Sequence, residues 1–305
     1  MKFSVQLPTD RVEAGPEFAS AEAIAQMARA AEAAGFDAAY VTEHPFPPDA
    51  WLATGGHHAL DPFVALAAAA TATTGLKLHT NILVLAYRNP FLTAKAAASL
   101  DVLSGGRVIL GVAAGYLQDE YRALGADFAS RNQRADEALQ AMKAAWSGKS
   151  TQFAGQGFEA SGNTMLPAPI QSPHPPIWVG GNTRLAMQRV VEHAQGWSPF
   201  PIVAKYSGRV RTAAIESPSD LGEKIELLGE LADQAGRSDA IDVNFVPFGS
   251  AMNLSELPEA DRFCEQVREL EAVGVTWLSV GMPTPSRDAY VENVARFGEE
   301  VIARL

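Results

Sequence analysis

The run Pro176-Ile177-Trp178-Val179-Gly180-Gly181-Asn182-Thr183-Arg184 decides the fold. Residues 177–179 are apolar and short, as in a buried strand. Gly180-Gly181 stops them, and Asn182-Thr183 opens a helical pattern carried by Leu185, Ala186, Val190 and Val191. Strand, glycine turn and helix start are the junction of a strand–helix unit. The same junction is a ready seat for an anion. Glycine lets the backbone come close, and the free N–H groups of a helix start point at negative charge. An ordinary turn with an Asn or Thr cap accounts for the same residues, so the rest of the chain has to decide.

Working outward, the pattern recurs. Short apolar runs lie at 3–7, 36–42, 76–85, 107–112, 196–197, 241–247 and 275–280, mostly followed by helical periodicity. The punctuation agrees: Ser20 or Glu22 begins the first helix and Gly35 ends it, Asp61-Pro62 opens another, and Ser104-Gly105-Gly106 closes a third. With 177–179, this makes eight strand–helix repeats. Alternating units imply parallel strands, and eight imply an α/β fold of the (β/α)8 TIM-barrel type, one domain over residues 1–305. An open doubly wound sheet is the competing topology, but the Gly-x-Gly-x-x-Gly fingerprint after the first strand is missing. Residues 147–175 break the rhythm and read as an insertion: a small hairpin, 151–153 with 157–159 around Gly155, then a proline-rich run. Residues 201–216 show no clear pattern.

Composition narrows the function. A chain of 305 residues, 47% hydrophobic, has ample material for a core. A net charge of -11 without a Lys/Arg-rich run argues against a nucleic-acid partner. The single cysteine, Cys264, excludes an internal disulfide framework. Residues 1–7 read as a strand, not a leader, and no apolar run is long enough for a bilayer, so a cytoplasmic protein without a membrane partner is expected.

In such a barrel the chemistry lies at the carboxyl ends of the strands. Glu43-His44 ends the second strand, Asn81-Ile82 lies within the third with Tyr87-Arg88-Asn89 after it, Gly115-Tyr116 ends the fourth, and Gly180 to Thr183 ends the fifth. Glu43 and His44 are a pair able to move protons; the plainer alternative is a buried ion pair tying loop 45–60 to the barrel. His57 and His58 are metal-ligand types, yet adjacent histidines in a Gly-rich loop read more simply as solvated. The first strand carries no His pair, which counts against a metal-dependent barrel hydrolase. Arg88 suits either a substrate contact or a bridge to rim acids, and Tyr116 either covers a flat ring or fills the core.

These residues carry a resemblance. Val41-Thr42-Glu43-His44, Tyr87 to Pro90, Leu100 to Arg107, Leu110 to Tyr116 and Trp178 to Asn182 together resemble the bacterial luciferase-like monooxygenase superfamily, strongly over residues 1–200 and by pattern beyond. The resemblance implies a TIM barrel with an insertion region, a homodimer, and FMN or its deazaflavin analogue, coenzyme F420, at the strand ends. It implies roles by position. His44 matches the active-site histidine, with Glu43 beside it. Asn81-Ile82 matches a non-prolyl cis peptide that bulges behind the central ring. Gly115 and Tyr116 match positions lining the ring system, and Gly180, Gly181, Asn182 and Thr183 match the phosphate loop.

Two departures matter. Ala114 stands where luciferase has a phosphate-holding arginine, and Tyr116 where deazaflavin-dependent sugar-phosphate dehydrogenases carry a glutamate, which points away from light emission and sugar-phosphate oxidation. The wording most resembles the deazaflavin-dependent oxidoreductases. The expectation is hydride transfer between that cofactor, or a flavin, and a small-molecule substrate. The competing readings are an FMN-dependent monooxygenase fed by a partner flavin reductase and a non-catalytic flavin-binding protein.

Overall fold

Eight parallel strands close on themselves, each hydrogen-bonded to two neighbours, which removes the open-sheet alternative. The structure is a computed structural model and describes residues 1–249 and 256–305. In chain order it runs β1 (Lys2–Gln6), α1 (Ala21–Ala33), β2 (Ala38–Val41), α2 (Asp49–Leu52), α3 (Pro62–Ala72), β3 (Lys77–Val84), α4 (Pro90–Ser104) and β4 (Val108–Ala113). Then come α5 (Gln118–Ala123), α6 (Arg131–Trp146), β5 (Thr151–Gly155), β6 (Phe158–Asn163), β7 (Ile177–Gly180), α7 (Arg184–His193), β8 (Gly196–Ser198) and α8 (Ala204–Ser207). The chain ends with α9 (Pro218–Gln234), β9 (Asp242–Phe245), α10 (Ala260–Ala272), β10 (Trp277–Val280) and α11 (Arg287–Glu300).

The barrel order is β1-β10-β9-β8-β7-β4-β3-β2, while β5 and β6 form a separate antiparallel hairpin. That hairpin is the insertion, with longer arms than the alternation of residues indicates and its turn at Gln156-Gly157. The patternless stretch 201–216 holds the short α8 and one antiparallel bridge between Ile202 and Ile215.

Local signals set the helix starts. Asp61 caps α3 by accepting from the N–H groups of Phe63 and Val64, and Asn89 caps α4 by accepting from those of Phe91 and Leu92. Each cap is followed by proline at the first helical position, where no donor is lost. The barrel interior is filled by Trp178 and Trp277, packed edge-on at 5.1 Å, with Ala38 and Ile109. His79 lies edge-on to Trp178 at 4.9 Å, fully buried, with neither ring nitrogen hydrogen-bonded. Burial in that apolar setting pushes its pKa down to about 3, so it stays neutral. The plug of rings fills the middle of the barrel and leaves the carboxyl rim for chemistry.

One irregularity in the wall positions the site. The pairing of β3 with β4 shifts register between Thr80 and Leu83, and the Asn81-Ile82 peptide there is cis. The bulge turns Ile82 toward β7. A Cβ on Gly180 would stand 2.2 Å from Ile82 Cδ1, so the bare glycine makes room for the Ile82 side chain, which reaches past β4.

Candidate active site

His44, Ile82, Tyr116 and Gly180 come from strands that run the same way round one stave of the barrel, and they share one rim. His44 follows β2, and only 10% of its side chain is exposed. Its ring lies 4.3 Å from the Trp51 ring, 5.2 Å from that of His57 and 6.3 Å from that of Tyr116. Loop 45–60 thus folds its indole and one of its two histidines over the imidazole. His57 Nδ1 is 2.9 Å from the His58 carbonyl.

The carboxylate beside His44 is Glu120, not Glu43. Glu120 Oε2 lies 3.3 Å from His44 Nδ1, and Oε1 accepts from the Phe46 N–H at 3.2 Å. Glu120 is buried, so its carboxyl group has these two partners close by and little water. A proton on His44 Nδ1 points at Glu120 and leaves Nε2 to face the rim.

Glu43 faces the other way. It accepts from the Val84 N–H at 2.7 Å, the Tyr87 hydroxyl at 3.2 Å and Arg88 Nε at 2.8 Å, with Arg88 Nη2 closer still. Burial opposes the Arg88 charge, but Glu43 outweighs it and holds the guanidinium above its ordinary pKa; Asp61 adds a carboxylate at 3.5 Å. The geometry is that of the ion-pair alternative: Glu43 pins the end of β3 and the turn after it.

Tyr116 follows Gly115, whose φ of +72° and tight surroundings, with Val84 Cγ1 2.6 Å from a would-be Cβ, admit no side chain. Burial, with Glu120 adding to it, pushes the Tyr116 phenol up to about 12, so it remains a hydrogen-bond donor. Across the rim, Gln6 Nε2 donates to Asp10 at 3.2 Å. Burial raises the Asp10 carboxyl, and His57 opposes the rise.

The loop after β7 divides its labour. Asn182 is fully buried: its amide nitrogen donates to the carbonyls of Phe200 (2.9 Å) and Ala213 (2.8 Å), and its oxygen accepts from the Phe200 N–H at 3.0 Å. Its own N–H donates to Thr212 Oγ1 at 2.8 Å. Asn182 therefore ties the loops together, with none of its N–H groups left for an anion. Thr183 caps α7 by accepting from the Ala186 N–H, and the Gly181 carbonyl accepts from Trp197 Nε1 at 2.8 Å. The N–H groups of Thr183, Arg184 and Leu185 have no protein acceptor among the described residues. These donors, two of them in the first turn of α7, are what the loop offers an anion. A cavity of about 350 Å³ lined by Phe91, Lys95, Met165 and Leu166 lies on the outer side, under the hairpin, away from this rim.

Four contributors to the site were not singled out for it in the sequence: Glu120, Trp51, His57 and the Thr212 tie. Glu120 sits in the polar run Gln118-Asp119-Glu120 and reads as solvated; its one signal is the neighbouring Tyr121, which shares its burial.

Comparison with known proteins agrees with the barrel. The profile of the luciferase-like monooxygenases matches residues 1–253. An uncharacterized protein of Mycobacterium tuberculosis is 30% identical over 287 residues, covering 89% of this chain and 92% of the relative. The F420-dependent hydroxymycolic acid dehydrogenase of the same organism is 27% identical over 226 residues, 71% of this chain and 61% of that protein. Among solved structures, monooxygenase RslO1 of Streptomyces bottropensis superposes with a TM-score of 0.76 at 21% identity, covering 100% of this chain and 99% of the other, a likeness of fold. By the match of its sequence to the family profile across most of its length, this chain belongs to the luciferase-like monooxygenase family.

Proposed function

We propose that the protein is an oxidoreductase that uses coenzyme F420 to move a hydride to or from a small organic substrate. The observation that carries this reading is the Glu120–His44 pair at the rim, one bulge away from a helix start with two unpaired donors. The residues present fit such a cofactor. Arg184 and Leu185 N–H would take its phosphate, Ile82 would back the ring, and Gly115 and Tyr116 would line it. When bound, the cofactor supplies the hydride chemistry and the protein supplies position and protons. His44 Nε2 holds or accepts the proton that accompanies the hydride, and Glu120 keeps the imidazole oriented. Trp51 and His57 shield the imidazole from water. Glu43 and Asn182 act at one remove, as anchors of the site.

Similarity to an F420-dependent dehydrogenase supports the deazaflavin; similarity in fold to a monooxygenase keeps FMN, with O2 and a reductase partner, as the second reading. The two separate in one experiment. The protein is given oxidised F420 with a panel of small alcohols, and reduced FMN with the same panel under air. Loss of deazaflavin fluorescence that depends on protein and alcohol supports the proposal. Substrate-dependent O2 uptake with reduced FMN alone moves the assignment to the monooxygenase.

We assign a homodimer to the face formed by α3 and α4. α3 is apolar on all sides, and Val64, Leu92 and Leu103 are 70%, 73% and 76% exposed there. A helix apolar all round needs cover on both sides.

A further inference from the structure

The molecule is acidic overall, with a net charge of -11, yet one stretch of the rim is basic. Arg131 opens α6, Arg184 opens α7, and Lys205, Arg209 and Arg211 follow β8. None of the five forms an ion pair among the described residues. Two of them are held together. The Arg131 guanidinium lies 4.1 Å from the centre of the Phe128 ring, and that of Arg211 lies 4.8 Å from the same ring. Burial, and then the charge of Arg211, lowers the Arg131 pKa, as expected of like charges brought close. The nearest acids along the chain are engaged by backbone: Asp127 accepts from the N–H groups of Ala129 (3.1 Å) and Ser130 (3.0 Å), and Glu216 from that of Ala204 (2.8 Å), beside Lys205.

The placement is built. Arg211 has φ +53°, the one positive φ outside glycine among the described residues. Its neighbours Thr212 and Ala213 are the partners of Asn182, so Arg211 is fixed directly beside the β7 loop. Phe128 packs edge-on against Tyr121 at 5.2 Å, and the Tyr121 hydroxyl donates to the Ala114 carbonyl, which fixes the ring beside the β4 exit. Two planar guanidiniums on one phenyl ring, without a carboxylate, suit an anionic ligand that supplies the missing charge.

We propose that Arg131 and Arg211 form a subsite for the acidic tail of the cofactor, beyond its phosphate. This rests on the deazaflavin reading. FMN ends at its phosphate, which the two free N–H groups of α7 can take. The deazaflavin continues through a phosphodiester into a chain of glutamyl carboxylates, and a cluster of unpaired cations next to the phosphate seat matches that polyanion. The unpaired Arg184, Lys205 and Arg209 extend the same field outward.

The test is a fluorescence titration of the intact protein with F420 bearing its glutamyl tail, with the deazaflavin lacking the glutamates, and with FMN. The wild-type protein binds the full-length cofactor on the order of tenfold or more tightly than the tail-less form, the scale of one charge-assisted contact. That ratio shrinks with added salt, because the subsite is exposed. Arg131→Gln and Arg211→Gln each bring the ratio toward one, Arg211→Glu inverts it, and Arg131→Lys restores part of it. Equal affinity for the two deazaflavin forms in wild type, or a ratio that survives Arg131→Gln with Arg211→Gln, overturns the subsite and leaves the cofactor reading standing. Binding of FMN with no binding of either deazaflavin overturns both.

Discussion

Replacing Glu120 with Gln is the sharpest perturbation of the site. The side chain keeps its shape, and its amide oxygen can still accept from the Phe46 N–H, now 3.2 Å from Oε1. The amide nitrogen then faces His44 Nδ1, 3.3 Å from the present Oε2, and cannot accept from it. His44 loses the acceptor that orients it. A hydrogen bond to a charged group contributes about 1.5–3 kcal/mol, and the length of this one puts it at the lower end. Turnover should therefore fall on the order of tenfold. The assay is single-turnover oxidation of the reduced cofactor, with cofactor affinity read separately by titration and folding by thermal melt. His44→Ala should lose at least about 100-fold, as for a proton-transfer residue. Because Glu120 acts through His44, Glu120→Gln in the His44→Ala background should add almost nothing. Turnover within a factor of two of wild type in Glu120→Gln, or full additivity of the two changes, would refute the pairing.

Three further outcomes follow from the structure. Arg88→Met leaves the buried Glu43 charge without its partner and should cost about 3–5 kcal/mol of stability, measured by urea unfolding, whereas a solvent-screened pair would cost under about 1. His79 has a folded-state pKa of about 3, below its unfolded value, so as pH falls the unfolded chain takes up the proton first. Its contribution is complete above about pH 6.5, declines through the acid range and is gone near pH 3, an upper bound of about 5 kcal/mol at about 1.36 kcal/mol per unit; His79→Gln should flatten that slope in melts run between those limits. Val64→Glu with Leu92→Glu should shift the species seen by light scattering from dimer to monomer, and an unchanged mass would remove the α3–α4 face from consideration.

The barrel was legible because its signals are local. Apolar runs of strand length, Asp61-Pro62 and Asn89-Pro90 at helix starts, and Gly105 at a helix end each report on a few neighbouring residues. The cis peptide at Asn81-Ile82 was legible only through resemblance, since nothing in those two side chains demands it. The site was half legible. His44 stands on the rim, but adjacent residues of an extended segment point to opposite sides, so Glu43 could not also serve it. The carboxylate that does, Glu120, lies 76 residues away, and no periodicity joins the two. Asn182 looks like a ligand group beside its glycines. Its real partners are Phe200, just after β8, and Ala213, in the stretch 201–216 whose pattern was unreadable. Arg211 was hidden in the same stretch, and Arg131, 80 residues earlier at the start of α6, has no local signal that joins it to Arg211, in a chain whose net charge points the other way.

The central claim is that one rim grips a phosphorylated tricyclic redox ring. Equilibrium titration of the purified protein with F420, followed by quenching of the cofactor's own fluorescence, tests it most directly. The account predicts saturable one-to-one binding in the micromolar range, about -8 kcal/mol. It further predicts that binding weakens when Gly180→Val pushes a side chain into Ile82. No saturation by either F420 or FMN up to about 1 mM, about -4 kcal/mol, would contradict it.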